Sequence, residues 1–93
     1  MGRWGKTVAG NLFARLRRNN KQTQRDLAQD LRISANYMWM IESGRTLPSP
    51  EILVRFCDKF GFNVNVAKTY LLNDKVDIYR QEVSKKLGVR GVL

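Results

Sequence analysis

Two residue types that commonly build reactive or metal-binding sites are nearly absent from this chain. It has no histidine and one cysteine, Cys57, so no disulfide can form within it. Acid–base chemistry would therefore fall to carboxylates and lysines, and no paired carboxylates stand out. One cysteine with scattered carboxylates also lacks the spacing of a metal site. We expect neither an enzyme nor a protein that holds a metal or cofactor.

Long apolar runs are missing too. No stretch approaches the ~18 apolar residues that a membrane-spanning helix needs, and the N-terminus lacks the apolar segment of a secretion signal. A cytoplasmic location is the expectation. The hydrophobic share of 43% is still enough for one small domain with a modest core.

Acidic residues are scarce and unevenly placed. The 93 residues include 17 Lys and Arg against 8 Asp and Glu, which gives a net charge of +9. Residues 1–25 contain no acid at all. This balance favours a polyanionic partner, either nucleic acid or an anionic membrane surface, over a generic basic surface. On a membrane, the first helix would offer only the narrow apolar stripe that the domain's core requires.

Apolar spacing predicts three helices besides a central pair, at residues 7–20, 50–60 and 74–87. Ser49 is placed to cap the second of these, and Asn73 or Asp74 the third. Residues 62–72 alternate valine with asparagine before a helix-like run, so they predict a short strand or a helix, with the helix favoured. The fold class is therefore all-α, a compact bundle of five short helices plus a C-terminal helix.

The stretch from Gln24 to Ser43 organises the rest of the chain. Thr23 and Ser34 are placed to cap two short helices joined by a tight turn. Apolar residues at helical spacing supply their buried sides: Leu27, Ala28, Leu31, Met38 and Ile41. The second helix also carries four residues that its buried side does not use: Ala35, Asn36, Trp39 and Met40.

One spaced pattern runs through this pair: Gln24, Leu27, Ala28, Leu31, Ile33, Ser34, Tyr37, Met38, Ile41, Glu42, Gly44 and Arg45. It resembles the helix-turn-helix of Xre/Cro-type bacterial and phage DNA-binding regulators, which have a lambda-repressor-like fold. The resemblance extends from about Ala9 to Asn63. The chain departs from the family pattern at three positions. Arg32 stands at a turn position where glycine is usual, Gln22 stands where an apolar residue normally precedes the cap, and Pro50 replaces a usual apolar residue.

The resemblance implies that the second helix enters the major groove of duplex DNA. Base contacts should come from its four surplus residues: Ala35, Asn36, Trp39 and Met40. Backbone contacts should come from seven positions around them: Gln24, Arg25, Ser34, Tyr37, Ser43, Arg45 and Thr46. Glu42 is expected to bond backbone in the following loop. Arg15, Arg17 and Arg18 are expected on the solvated surface, with Arg18 within reach of phosphate.

The chain divides into three expected parts: a flexible basic arm at residues 1–6, a helix-turn-helix domain at 7–63 and a C-terminal helical extension at 64–93. Arg3 and Lys6 on the arm could also contact DNA. A stripe on the extension would pair two copies into a homodimer: Val76, Tyr79, Val83 and Leu87. The expected function is a small repressor of a phage, plasmid or other mobile element, bound to a palindromic operator in the bacterial cytoplasm. The alternative is an antitoxin whose C-terminal segment binds a toxin.

Overall fold

Residues 7–87, described by a computed structural model, form five α-helices connected by short turns. The helices are Val8–Asn19 (α1), Gln24–Leu31 (α2), Ala35–Glu42 (α3), Pro50–Phe60 (α4) and Val64–Leu87 (α5). Residues 1–6, residues 88–93 and the side chain of Leu87 lie outside this description. The all-α class is confirmed, and so is the placement of the central pair. None of these five helices is long and apolar enough to cross a membrane.

A side-chain hydroxyl caps each of the first four helices. The capping residues are Thr7, Thr23, Ser34 and Ser49, and each hydroxyl accepts the backbone N–H three residues later. At α2 the cap is reciprocal, since the Asp26 carboxylate accepts from the Thr23 N–H at 3.1 Å. A cap of this kind contributes about 1 kcal/mol. The caps predicted at Thr23, Ser34 and Ser49 are therefore confirmed.

The core forms where α1, α4 and the central pair meet. Phe13 and Phe56 stack with ring centroids 3.8 Å apart and planes within 4°, and both are fully buried together with Met38 and Ile41. Cys57 belongs to the same core, and burial raises the pKa of its thiol. Its position indicates a packing role, because a reactive cysteine needs a stabilised thiolate.

The turn between α2 and α3 passes through a left-handed residue. Arg32 has φ 62° and ψ 43°, the region where a Cβ costs an L-residue roughly 1–2 kcal/mol. Its N–H donates to the Gln29 carbonyl at 3.1 Å, and the Ile33 N–H donates to the Ala28 carbonyl at 2.9 Å. The turn that glycine usually forms is thus made by arginine.

Gln22, the second departure from the family pattern, forms a hydrogen bond where an apolar side chain is usual. Its amide donates to the Asp30 carboxylate at 2.9 Å, and this bond, followed by Lys59, holds the pKa of Asp30 below its ordinary value. The Gln22 Oε1 atom is buried and has no hydrogen-bond partner within residues 7–87. The junction of α1 and α2 therefore contains an unsatisfied polar atom at a position where the family usually has an apolar side chain.

α5 is one continuous helix, so the open choice for residues 62–72 is settled in favour of helix from Val64 onward. It begins after Asn63, whose side-chain oxygen accepts from the N–H groups of Asn65 and Val66. The helix start predicted at Asn73 or Asp74 is wrong, because both residues lie inside α5. The residues from Val64 to Leu72 are compatible with a helix, so α5 continues through Asn73 and Asp74 without a break.

Asp74 instead caps a different helix. It is 6% exposed, and its two carboxylate oxygens accept from the N–H groups of Val8 and Ala9 at 2.8 and 2.9 Å. These are orphan donors in the first turn of α1, where the helix dipole also favours a negative charge. The sequence predicted a capping role for Asp74, but the helix that it caps is α1, whose Ala9 lies 65 residues away in the sequence.

Two sides of α5 have different surroundings. On one side, Ala67 and Leu71 near the start of the helix are part of the common core. On the other side, apolar side chains face solvent, with Leu72 62% and Tyr79 65% exposed. From Leu72 onward, α5 therefore presents an uncovered apolar side.

Candidate nucleic-acid interface

α3 has one side in the core and one side open to solvent. Met38 and Ile41 are fully buried, whereas Ala35, Asn36 and Trp39 are exposed on the opposite side. Met40 is half-buried at the edge of this open side, and the Asn36 amide lies 3.7 Å from its sulfur. The four residues assigned to base contacts thus share a solvent-facing surface.

Trp39 forms a stacking contact with Arg45 from the following loop. The guanidinium carbon lies 5.1 Å from the centroid of the indole ring, within the range of a cation–π interaction. Trp39 keeps 44% of its surface exposed. The contact holds a positive charge beside the open side of α3.

Glu42, the last residue of α3, is the centre of a buried polar network. Its carboxylate accepts two bonds from Arg17 of α1, from Nε at 2.7 Å and from an Nη at 2.9 Å. The Gln24 amide at the start of α2 donates to the same carboxylate at 2.9 Å. A third guanidinium N–H donates to the Gln22 carbonyl at 2.8 Å. The Glu42 carboxylate therefore connects α1, α2 and α3 through hydrogen bonds.

This network corrects two expectations. Glu42 accepts from side chains of α1 and α2, not from backbone of the following loop, because its position at the end of α3 faces the α1–α2 junction. Arg17 is not solvated surface, since its side chain is only 12% exposed and that of Glu42 5%. The bidentate pair neutralises a carboxylate that would otherwise repel an approaching anion.

The loop after α3 folds back on the end of that helix. The Met40 carbonyl accepts the N–H of Arg45 at 2.9 Å, that of Thr46 at 3.3 Å and the Ser43 hydroxyl at 3.2 Å. Gly44 has φ 80°, a conformation that glycine adopts at low cost. Ser43, Arg45 and Thr46 are thereby fixed around the C-terminus of α3.

The remaining positions assigned to backbone contacts are spread around this surface. Arg25 is exposed on α2, while the Ser34 hydroxyl is used in the α3 cap. The Tyr37 hydroxyl accepts the Ser49 N–H at 3.2 Å, which joins α3 to the start of α4. Tyr37 keeps its hydroxyl proton for a further acceptor.

An open groove lies between α1 and the α2–α3 pair. It is lined by Asn11, Ala14, Arg15, Arg18, Asn19, Gln24, Trp39, Glu42 and Ser43. Gln24, Trp39 and Ser43 were assigned to DNA contacts from sequence, whereas Asn11 and Asn19, which also line the groove, were not. The available signal was the spacing of Asn11, Arg15 and Arg18 by four and then three residues, which places three polar side chains on one side of α1.

The residues assigned to dimerisation lie on α5. Arg3 and Lys6 fall outside the described residues. Val76 and Tyr79 are exposed on α5, and Val83 is half-buried there, while the side chain of Leu87 falls outside the description. Within residues 7–87 no three potential metal ligands come together.

Comparison with known proteins places this geometry in a family. A family model described as a helix-turn-helix domain matches residues 9–67. Two crystal structures of the clp gene regulator ClgR from Corynebacterium glutamicum are similar to the chain. One is 23% identical, with a TM-score of 0.61 and coverage of 88% of each chain. The other is 26% identical, with a TM-score of 0.60 and coverage of 73% of this chain and 88% of that one.

A search of curated proteins finds no match. The family model nevertheless spans α1 to the first turn of α5, more than half of the chain, and includes the whole α2–α3 pair. The helix-turn-helix resemblance predicted from sequence is confirmed. The chain belongs to the helix-turn-helix domain family of DNA-binding proteins.

Proposed function

We propose that this protein is a sequence-specific transcriptional regulator that inserts α3 into the major groove of duplex DNA. The observation that carries the proposal is the open side of α3, where Ala35, Asn36 and Trp39 face solvent next to the stacked Arg45. The similarity to ClgR, a clp gene regulator, supports a regulatory role. A net charge of +9 supports a polyanionic partner.

Asn36 is the main polar group available to distinguish bases. A carboxamide pairs bidentately with adenine N6 and N7, which discriminates against other bases by about 1–3 kcal/mol. Ala35 and Met40 have no side-chain N–H or O–H and suit the thymine methyl group. The weak contact of Asn36 with the Met40 sulfur is readily exchanged for a base. The preferred half-site is therefore rich in A·T pairs.

Gln24 is oriented for a phosphate by the Glu42 network. One N–H of its amide is bonded to the carboxylate, which leaves the second for a phosphate oxygen at the N-terminus of α2. The bidentate Arg17 pair removes most of the repulsion that Glu42 would exert on that phosphate. A carboxylate near DNA is thus compatible with binding because it is neutralised within the protein.

In this proposal the phosphate backbone of the DNA lies along the basic residues around α3 and the groove. Contacts come from the seven predicted positions: Gln24, Arg25, Ser34, Tyr37, Ser43, Arg45 and Thr46. The groove adds Arg15 and Arg18, both exposed. Arg3 and Lys6 of the N-terminal arm extend the contact into the adjacent minor groove or along the phosphates.

The functional unit is a homodimer on a palindromic operator. One recognition helix contacts only a few base pairs, and a dimer places two of them about one helical turn apart, ~34 Å. Residues 64–93 supply the pairing surface. In this proposal the protein acts as a small repressor of a phage, plasmid or other mobile element in the bacterial cytoplasm.

Salt dependence is the first test of DNA binding. Binding to a site selected from random duplexes should weaken steeply from 50 to 200 mM salt, on the order of 10³-fold if about six phosphates are contacted. Fluorescence anisotropy with a labelled duplex measures this directly. An affinity that changed less than about threefold over that range would refute the proposal.

Three substitutions separate positioning from base recognition. Gln24→Ala should weaken binding to all sequences, whereas Asn36→Ala should also relax the preference at one position. Gln29→Ala is the matched control, because Gln29 is an exposed glutamine on another side of α2. Equal loss of affinity and unchanged sequence preference for Asn36→Ala and Gln24→Ala would contradict these roles.

The groove is tested by charge removal on α1. Arg18→Ala should weaken binding and lower the salt slope by about one phosphate equivalent. Lys68→Ala removes one positive charge from an exposed position of α5 and serves as the control. Equal effects of the two substitutions would show that only net charge matters.

A further inference from the structure

From Leu72 onward, α5 carries an apolar stripe that nothing in residues 7–87 covers. Leu72, Val76 and Tyr79 are 62%, 48% and 65% exposed, and Val83 continues the stripe. At about 100° per residue, the stripe is centred about 140° around the helix from the side defined by Ala67, Leu71 and Asp74. It points away from the protein's own core.

The stripe has the spacing of a coiled-coil seam. Its members are separated by four, three and four residues, which corresponds to alternating d and a positions of a heptad. The seam consists of Leu72, Val76, Tyr79 and Val83. Four apolar residues over three turns suit another helix of equal length as the partner.

We propose that α5 pairs with α5 of a second copy in antiparallel orientation, with the twofold axis passing between Asp77 and Ile78. In this register Leu72 packs against the partner's Val83, and Val76 packs against the partner's Tyr79. Every seam residue then meets an apolar residue of the other chain. A shift by one heptad in either direction leaves two seam residues opposite polar positions or the end of the helix.

The charges beside the seam select the same arrangement. Lys75 and Glu82 occupy g positions on one edge, and within residues 7–87 neither is in an ion pair. In the antiparallel register Lys75 faces the partner's Glu82, and symmetry creates the pair twice. A parallel pair would place Lys75 opposite the partner's Arg80 and Lys86 opposite its own copy, so like charges would meet.

This self-complementarity identifies the occupant as a second copy of the chain. A single helix supplies both halves of every packing and charge pair, as an isologous interface requires. The inference rests on the proposed function, since it specifies how the homodimer forms. The experiments below are made without DNA, so that a failure of dimerisation and a failure of DNA binding can be told apart.

Disulfide trapping tests the orientation. Leu72→Cys and Val83→Cys proteins, mixed and oxidised, should give a crosslinked heterodimer, whereas neither should crosslink to itself. In the antiparallel register the two copies of position 72 are about 16 Å apart along the helix, far beyond the ~7 Å limit for Cα atoms in a disulfide. The native Cys57 is buried, and the unsubstituted protein under the same oxidation is the control.

The crosslinking pattern has distinct alternative outcomes. Self-crosslinking of the Leu72→Cys protein alone would indicate a parallel pair and overturn the proposal. Absence of all crosslinks, together with a monomer by analytical ultracentrifugation at all concentrations, would also overturn it and would favour a different protein, such as a toxin, on this surface. Binding of the same proteins to the selected duplex reports on the proposed function independently.

Charge reversal tests the register. Lys75→Glu and Glu82→Lys should each raise the dimer dissociation constant at low salt by about threefold to tenfold, since two exposed pairs become repulsive. The combined variant should return to within about twofold of the original. Circular dichroism checks that helix content is unchanged. Tighter dimerisation by Lys75→Glu alone would indicate the parallel arrangement, because Lys75 would then face the partner's Arg80.

Discussion

Arg17→Ala should be far more destabilising than substitution of the chain's exposed arginines. The substitution leaves the Glu42 carboxylate, 5% exposed, without the guanidinium that donates two bonds to it. Within residues 7–87, Gln24 would be the one remaining side-chain donor. The Gln22 carbonyl would also lose its guanidinium donor. The result is a buried charge with one neutral hydrogen bond.

The magnitude follows from the burial of this pair. Removing one partner of a buried ion pair costs ~3–5 kcal/mol. The Arg17 side chain keeps 12% of its surface exposed, so water relieves part of the penalty and the lower end, about 3 kcal/mol, is expected. A domain of this size loses about 4–8 °C of Tm per kcal/mol. The Tm should therefore fall on the order of 15 °C.

Thermal and urea unfolding followed by circular dichroism measure this loss. The matched control is Glu51→Gln, which breaks the Arg55–Glu51 pair at 2.6 Å, whose side chains are 37% and 73% exposed. Exposed pairs contribute up to about 1 kcal/mol. A fall in Tm for Arg17→Ala no larger than that for Glu51→Gln would refute the assignment of Glu42 as a buried network centre.

A double substitution separates stability from DNA binding. Arg17→Met with Glu42→Met removes both charges and should recover much of the stability, because well-packed apolar residues often replace a buried ion pair at little cost. DNA affinity should nevertheless remain low, since the Gln24 amide has lost the acceptor that orients it. A double variant that was both stable and fully active would show that the network does not position Gln24.

Substitutions at three further positions test the backbone features that fix the helices, each by the midpoint of urea unfolding. Gly10→Ala should destabilise by about 1–3 kcal/mol, because a Cβ there would collide with the Ile41 carbonyl oxygen; an unchanged midpoint would contradict this close approach of α1 to α3. Arg32→Gly should stabilise by up to about 1 kcal/mol by relieving the left-handed conformation, and a lower midpoint would contradict that. Asp74→Ala should lower the free energy of unfolding by about 1–3 kcal/mol, because it leaves two backbone donors of α1 unpaired. Asp74→Asn keeps an acceptor oxygen and should recover part of that stability. An equal loss of stability in both variants would refute the capping role.

Local signals predicted most of the helices correctly. Caps at Thr23, Ser34 and Ser49 act within three residues, so sequence spacing is sufficient to find them. The continuous α5 was not predicted, because Asp74 has the chemistry of a cap and its true partners, Val8 and Ala9, are distant in sequence. Sequence identified a capping residue, and only the fold shows which helix it caps.

The surface of α3 was also predictable, since helical periodicity separates Met38 and Ile41 from Asn36 and Trp39. The Glu42 network was not, although both of its charged members were noticed. Arg17 lies among several arginines of α1, and spacing along one helix does not reveal which of them meets a carboxylate on another. The assignments of individual DNA contacts stay predictions.

α1 is held at both ends by acidic residues from other helices. Asp74 of α5 binds the two backbone donors at its start, and Glu42 of α3 binds Arg17 near its end. α5 and α3, the proposed recognition helix, are therefore connected through α1, and Gly10 allows α1 to approach α3 closely. In the proposed dimer this connection would fix the distance between two recognition helices.

Asp74→Ala should then broaden the range of half-site spacings that the protein accepts. Duplexes with the two half-sites moved apart by single base pairs measure this range. Affinity for a single half-site should be unchanged. Unchanged spacing preference would mean that packing of Ala67 and Leu71 alone holds α5 in place.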